Sequence, residues 1–205
     1  MYKKVKRALD IIISLVSVII LSPVFLITAV AVKLDSPGEV IFRQKRLGLN
    51  GKAFTMYKFR SMCVGAESKG TGQYSFEGDP RVTKVGKIIR ATSIDELPQL
   101  INILKGDMSI IGPRPTLTYH PCKYEEYTDE QKHRFDVRPG VTGWAQIHGR
   151  KQVDWAQRIK DDVWYVRHLS LLLDIRIFFK TIITVITMKD NVNTGATVAK
   201  KENGE

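Results

Sequence analysis

The strongest constraint on this chain is a run of 22 residues, Ile11–Val32, that carries no charge. Only Ser14, Ser17, Ser22, Pro23 and Thr28 interrupt its apolar character. As one helix it would reach roughly 33 Å, enough to cross a bilayer core of ~30 Å. Lys3, Lys4, Lys6 and Arg7 precede it, and Ala29-Val30-Ala31 resembles a cleavage site. The apolar stretch nevertheless exceeds the ~7–15 residues of a secretory signal. A single-pass helix would normally show a cation bias. Here Lys3, Lys4, Lys6 and Arg7 are balanced by Lys33, Arg43, Lys45 and Arg46. A re-entrant hairpin would bend at Ser22-Pro23, because Pro23 lacks an amide donor and clashes with the preceding turn. The Ser22 hydroxyl could satisfy a carbonyl freed there, where lipid offers no water. Both charged ends would then lie on the cytoplasmic side. The residues leave the spanning and re-entrant readings open.

The rest of the chain must supply a core and account for its charge. Of 205 residues, 43% are hydrophobic, which suits one domain. The formal net charge of +11 calls for an anionic partner: a nucleic acid, a membrane surface or a phosphorylated substrate. Cys63 and Cys122 have no metal-ligand spacing and read as free thiols. The tail from Lys189 to Glu205 is polar and reads as loosely ordered.

Val40–Arg46 and Ala53–Met62 read as antiparallel strands around Leu49-Asn50-Gly51-Lys52, since Asn-Gly is a strong hairpin signal. Gly86–Lys105 reads as helical with a break near Ser93, and Tyr124–Phe135 as a polar helix. Trp155, Ile159, Val163 and Val166 recur at helical spacing. In Leu169–Met188 an apolar stripe (Leu171, Leu172, Ile175, Phe178, Phe179, Ile182, Ile183, Ile186) opposes Asp174, Lys180, Thr181 and Thr184. That stripe suits either a core-facing helix or one lying in a membrane interface.

The chemistry concentrates in Arg90-Ala-Thr-Ser-Ile-Asp95-Glu96-Leu-Pro-Gln99, Lys105-Gly-Asp107 and Gly112-Pro-Arg114-Pro115. Ser93-x-x-Glu96 has the form of a capping box, which alone would explain both carboxylates. Pro98 then falls inside the helix, a misfit that a start nearer Asp95 removes. A helix amino terminus also favours phosphate, and a carboxylate held there could attack phosphorus. Such an attack needs cations to offset anion repulsion. Arg114, restricted on both sides by proline, suits a bidentate phosphate grip. Arg138 precedes Pro139-Gly140 in a similar turn, and Lys58, Arg60 and Arg90 add charge. His120, His133, His148 and His168 show no metal spacing, and no Walker loop, Gly-x-Gly-x-x-Gly or serine nucleophile elbow occurs.

Taken in order, several segments together resemble the monotopic bacterial phosphoglycosyl transferases, or bacterial sugar transferases, in their minimal short form. They are the basic start, the run with central Ser22-Pro23, Tyr57-Lys58-Phe59-Arg60-Ser61-Met62, Ser93-Ile-Asp95-Glu96-Leu-Pro-Gln99, Leu104-Lys-Gly-Asp-Met-Ser109, Gly112-Pro-Arg-Pro115 and Arg138-Pro-Gly-Val-Thr-Gly-Trp-Ala-Gln146. The resemblance implies an α+β, mostly helical single domain with a small antiparallel β-hairpin, a re-entrant membrane hairpin over residues 1–33, a cytosolic catalytic part over 34–188 with interfacial amphipathic helices, and a tail over 189–205. It implies transfer of a sugar-1-phosphate from a UDP-sugar to a polyprenyl phosphate such as undecaprenyl phosphate, with release of UMP, at the cytoplasmic face of the bacterial inner membrane. Asp95 would be the nucleophile and would hold Mg2+. Glu96 would serve the acceptor by taking a proton or orienting it. Arg114 would grip phosphate, while Lys58, Arg90, Arg138 and Gln146 match motif positions without separate roles. The implied partners are the donor, the acceptor and one leaflet of a bilayer, with no nucleic acid. The sugar, the pathway and the oligomeric state, a homo-oligomer included, stay open, and residues 66–79 receive no role. Two other readings use the same residues: a membrane-anchored nucleotide-sugar phosphohydrolase acting through Asp95, and a basic membrane-tethered scaffold that binds anions.

Overall fold

The computed structural model describes residues 2–68, 70, 72, 75–76, 78–148 and 154–186. The expected polar tail, the last residues of the expected Leu169–Met188 helix and the Ile186 side chain lie outside what is described.

Two helices open the chain, α1 (Tyr2–Ile20) and α2 (Ser22–Asp35), bent by 63° at Leu21. Pro23 has no N–H to offer the carbonyl four residues back, that of Ile19. The Ser22 hydroxyl donates to that same Ile19 carbonyl at 2.8 Å. Among the described residues no single helix is long and apolar enough to cross a membrane, whereas the bent pair together has the length and composition. The polarity of the pair is reversed relative to a soluble helix. Asp10, Ser14 and Thr28 are buried, while Ile12, Ile19, Ile20, Leu26, Ile27 and Leu34 face outward. Asp10 earns its burial by accepting the backbone N–H of Ile110 at 3.0 Å.

A hairpin follows, β1 (Ile41–Leu47) against β2 (Ala53–Phe59), in register from Ile41↔Phe59 to Leu47↔Ala53. Its loop turns through Asn50 and Gly51, both left-handed, with φ 54 and 72°. Gly51 is required twice over, since a Cβ there would lie 2.4 Å from the Tyr124 ring. Just past β2, the buried Arg60 donates to the carbonyls of Val32, Ser36 and Pro37. A cation there matches the negative end of α2 and ties the amino-terminal helices to the sheet.

Helix α3 (Lys84–Ala91) starts at Thr83, whose hydroxyl accepts the Gly86 N–H at 2.9 Å. A 3-10 turn, Ile94–Glu96, leads to α4 (Gln99–Lys105), which Gly106 ends at φ 94°. Asn102 fastens α4 to β2: its carbonyl accepts the Tyr57 N–H at 3.0 Å and its amide donates to Thr55 O at 2.7 Å.

β3 (Ser109–Ile111) and β4 (Gly140–Thr142) form a second, parallel two-stranded sheet that the sequence reading did not include. The segment between them is not the continuous helix expected over Tyr124–Phe135. It breaks into 3-10 turns at Tyr124–Glu126 and His133–Phe135 around a one-turn α5 (Asp129–Lys132), which Thr128 and Gln131 close as a capping box. The chain then forms α6 (Trp144–His148), α7 (Trp155–Arg167) and α8 (Leu171–Ile186).

The fold is therefore mostly helical with a small antiparallel hairpin, consistent with the α+β class. Its core is distributed. Val32, Phe59 and Ile89 join α2, β2 and α3. Met56, Ile103 and Met108 join β2 to α4. Ile159 and Val163 of α7 pack on Leu47, Tyr127 and Phe135. The core-facing reading of α8 does not hold. Leu172, Phe179 and Ile183 are 79, 60 and 61% exposed, and among the described side chains of α8 Ile177 and Asp174 are the buried ones. Asp174 accepts hydrogen bonds from Tyr2, Lys6 and Tyr165, so the polar edge of α8 locks onto α1 and α7 while its apolar stripe points away.

Candidate active site

The carboxylate pair owes its position to a break between two helices. Ser93 adopts a left-handed conformation (φ 59°, ψ 15°), and its side chain makes no capping bond. The capping-box explanation for Glu96 therefore falls away. Asp95 and Glu96 also do not occupy the first turn of α4. They sit on the 3-10 turn before it, and Pro98 stands at the cap position, where its missing N–H costs nothing.

Across from the turn, Lys58 on β2 lies on the same strand face as buried Met56 and reaches Glu96, with Nζ 2.7 Å from Oε1. Arg114 approaches the same oxygen at 3.6 Å from the loop after β3. Burial alone would push Glu96 up, but Lys58 and Arg114 outweigh it and hold the carboxylate down, at about 2. Asp95 behaves oppositely. Burial pushes it up to about 6, with the neighbouring Glu96 charge adding to the rise; Lys58, Arg90 and Arg114 only partly offset this. Two adjacent carboxylates thus differ in basicity because one holds the cations and the other does not.

The Gly112-Pro-Arg-Pro115 loop is carried by backbone packed on backbone. A Cβ on Gly112 would lie 2.4 Å from Arg138 O, one on Gly140 would lie 2.1 Å from Gly112 N, and one on Gly143 would lie 2.1 Å from Gly112 O. These glycines allow β3 and β4 to pair and fix the base from which Arg114 projects.

Of the residues singled out in sequence, Lys58, Arg90, Asp95, Glu96 and Arg114 come together. Arg138 does not join them: its Nε donates to Gly106 O at the far end of α4, where Arg7 also caps Ile103 O and Leu104 O. Gln146 lies in α6 against Gly143, and both its amide atoms are buried with no hydrogen-bond partner among the described residues. Arg60 serves α2 instead. One cation of the cleft carries no signal in the sequence. Arg46 on β1 lines the same cleft as Lys58, Gln99, Arg114 and Pro115. Its guanidinium donates to Pro115 O at 3.1 Å and to Gln44 Oε1. Burial, followed by the nearby Arg114 charge, lowers its pKa to about 10, so it remains a cation.

Among the described residues no group of three or more His, Cys, Asp or Glu side chains could cage a metal. The donor set at Asp95 and Glu96 still fits Mg2+. That ion is commonly held by one or two carboxylates, with substrate phosphates and water completing its octahedron.

A family model described as bacterial sugar transferase matches residues 1–188. The chain is 46% identical over 189 residues to the UDP-N-acetylgalactosamine-undecaprenyl-phosphate N-acetylgalactosaminephosphotransferase of Aeromonas hydrophila, covering 91% of this chain and 44% of that protein. It is 47% identical over 182 residues to the UDP-glucose:undecaprenyl-phosphate glucose-1-phosphate transferase of Escherichia coli K12, covering 86% and 39%. With the uncharacterized sugar transferase EpsL of Bacillus subtilis it shares 42% identity over 200 residues, covering 97% and 96%. The chain thus spans less than half the length of the first two relatives and nearly all of the third. On the family match and these identities, the chain belongs to the bacterial sugar transferase family.

Proposed function

We propose that the protein transfers a sugar-1-phosphate from a UDP-sugar to undecaprenyl phosphate through a covalent intermediate on Asp95. The observation that carries this reading is the division of labour between the two carboxylates. Lys58 and Arg114 bind Glu96, and Asp95 makes no ion pair among the described residues. Its raised pKa gives an oxygen that is ionised near neutral pH and more basic than an ordinary aspartate.

Asp95 Oδ attacks the β-phosphorus of the donor. The bond from that phosphorus to the bridging oxygen breaks, and the oxygen leaves with UMP. A phosphate oxygen of the lipid then attacks the same phosphorus and displaces the carboxylate, giving a polyprenyl diphosphate sugar. Lys58, Arg90 and Arg114 supply three positive charges against two carboxylates. That surplus offsets the repulsion between an anionic nucleophile and an anionic donor. A bound Mg2+ would neutralise further phosphate charge, with Asp95 as its protein ligand. Glu96, held well below the usual carboxylate range, is a weak base; orienting the cations and the acceptor suits it better than taking a proton.

The acceptor is a lipid, and the reversed polarity of three helices supports an interfacial site. In this reading α1 and α2 form a hairpin dipping into one leaflet of the inner membrane from the cytoplasmic side. α8 lies along the surface with Leu172, Phe179 and Ile183 in the acyl region. Residues 1–33 are then the membrane part and 34–188 the catalytic part.

The test is product analysis with a panel of UDP-sugars, Mg2+ and undecaprenyl phosphate. The expected outcome is UMP together with a phosphosugar-lipid. Free sugar phosphate formed without lipid would instead identify a hydrolase.

A further inference from the structure

The loop that displays Arg114 is held at every carbonyl from residue 113 to residue 116. Pro113 O accepts from Gly140 N at 2.9 Å, and Thr116 O accepts from Leu47 N at 2.9 Å. These two are ordinary main-chain contacts. The middle two come from guanidinium groups, one half-buried and one buried: Arg46 donates to Pro115 O at 3.1 Å, and Arg134 Nη2 donates to Arg114 O at 3.0 Å.

Arg134 is the unexpected member. It lies on the short turn before β4, is 2% exposed, and makes no hydrogen bond or ion pair with Asp95 or Glu96. Asp162 on α7, equally buried, holds its Nε and Nη2 at 3.2 and 2.5 Å, and Nη1 reaches Thr116 Oγ1 at 3.4 Å. Burying such a pair is costly, and an apolar pair of similar volume would commonly serve stability as well or better. Asp162 Oδ1 is even left without a hydrogen bond among the described residues. Stability alone therefore gives a poor reason for this pair.

The geometry points to Arg134 and Asp162 as positioning residues for Arg114. Resting on the transferase reading above, we infer that they fix the main chain at residue 114 so that its guanidinium meets the donor's diphosphate already oriented. Asp162 aims the Arg134 fork, and the fork pins the carbonyl of the residue that grips. Main-chain pinning is needed because Arg114 itself is half exposed, and its only ion pair among the described residues, at 3.6 Å, is loose.

The experiment is a double-mutant cycle on UMP formation, run with purified full-length protein in detergent or nanodiscs. Arg134→Met/Asp162→Leu removes both charges together, so neither is left buried alone. The expected result is a melting temperature near wild type and a kcat/KM lowered roughly tenfold to a hundredfold, the scale of a misplacement of about 1 Å. In the Arg114→Ala background the same pair of changes should cost less than about twofold, because the side chain being positioned is gone. An equal loss in both backgrounds, or wild-type kcat/KM in the paired variant, overturns the inference. Should the paired variant not fold, Arg134→Lys is read in the same cycle: lysine keeps the charge beside Asp162 and loses the fork, and the same dependence on Arg114 is expected. Wild-type turnover in the same assay checks the transferase reading independently of the coupling.

Discussion

Lys58 Nζ lies 2.7 Å from Glu96 Oε1, and the adjacent Asp95 carboxylate has no salt bridge among the described residues. Lys58 and Arg114 outweigh burial at Glu96, whereas at Asp95 burial outweighs Lys58, Arg90 and Arg114.

A first consequence concerns pH. Asp95 must be ionised to attack, so kcat/KM for UMP formation falls as pH drops through about 6. Lys58 stabilises both negative charges, so Lys58→Met should move this limb to higher pH as well as lowering the maximum. A pH–rate profile of the two proteins decides the matter; an unmoved limb contradicts the assignment.

Stability should respond with the opposite sign. The folded pKa of Asp95 lies above its ordinary 3.8, so folding favours the protonated form. The stability this contributes is fully present below about 3.8 and is lost as pH rises through about 6. At pH 7.5 Asp95→Asn removes a half-buried charge. We expect inactivity with a melting temperature raised by roughly 2–4 °C, the equivalent of about 1 kcal/mol. At pH 4 the difference should largely disappear. Thermal melts at the two pH values provide the check.

Gly140→Ala tests the packing beneath Arg114. Its Cβ would fall 2.1 Å from Gly112 N and 2.4 Å from Thr142 O, both main-chain atoms that cannot rotate aside. The β3–β4 pairing should open at a cost of about 1–3 kcal/mol, with a matching fall in melting temperature and loss of turnover. A fully active, equally stable variant would show that the two strands can separate without harm.

The outward face of α8 makes a prediction that separates membrane docking from core packing. Phe179→Glu and Ile183→Glu place charge on positions 60 and 61% exposed in the folded chain. In detergent the melting temperature should stay within roughly 2 °C of wild type, as for other exposed substitutions. Co-flotation with anionic vesicles and turnover of the lipid acceptor should both decline. Unfolding in detergent would mean that this face packs against protein.

Much of this arrangement could be read from residues close together in the chain. Asn50-Gly51 marks the hairpin turn, Pro23 marks the bend, and the break near Ser93 is where α3 ends. The carboxylate pair, Lys58 and Arg114 stand out because chemistry and spacing coincide. What escaped depends on distant partners. β3 and β4 are three residues each, too short for an alternating pattern, and the glycines that let them pair acquire meaning only when set against one another. Arg46 reads as an ordinary strand cation until Pro115 closes over it. Ser93-x-x-Glu96 has the letters of a capping box, but the backbone turns left-handed at Ser93 to leave α3. For α8, the period identifies an amphipathic helix whichever way it faces; the burial of Asp174 reveals that the apolar side points out.

The proposed mechanism requires Asp95 to become covalently attached to phosphorus. Intact-protein and peptide mass spectrometry of enzyme mixed with UDP-sugar and Mg2+, with the lipid acceptor withheld, tests this most directly. A gain in mass equal to one phosphosugar, localised to the peptide containing Asp95 and discharged when undecaprenyl phosphate is added, is the predicted result. An unmodified peptide from a preparation that turns over normally, together with turnover by Asp95→Asn, would contradict it.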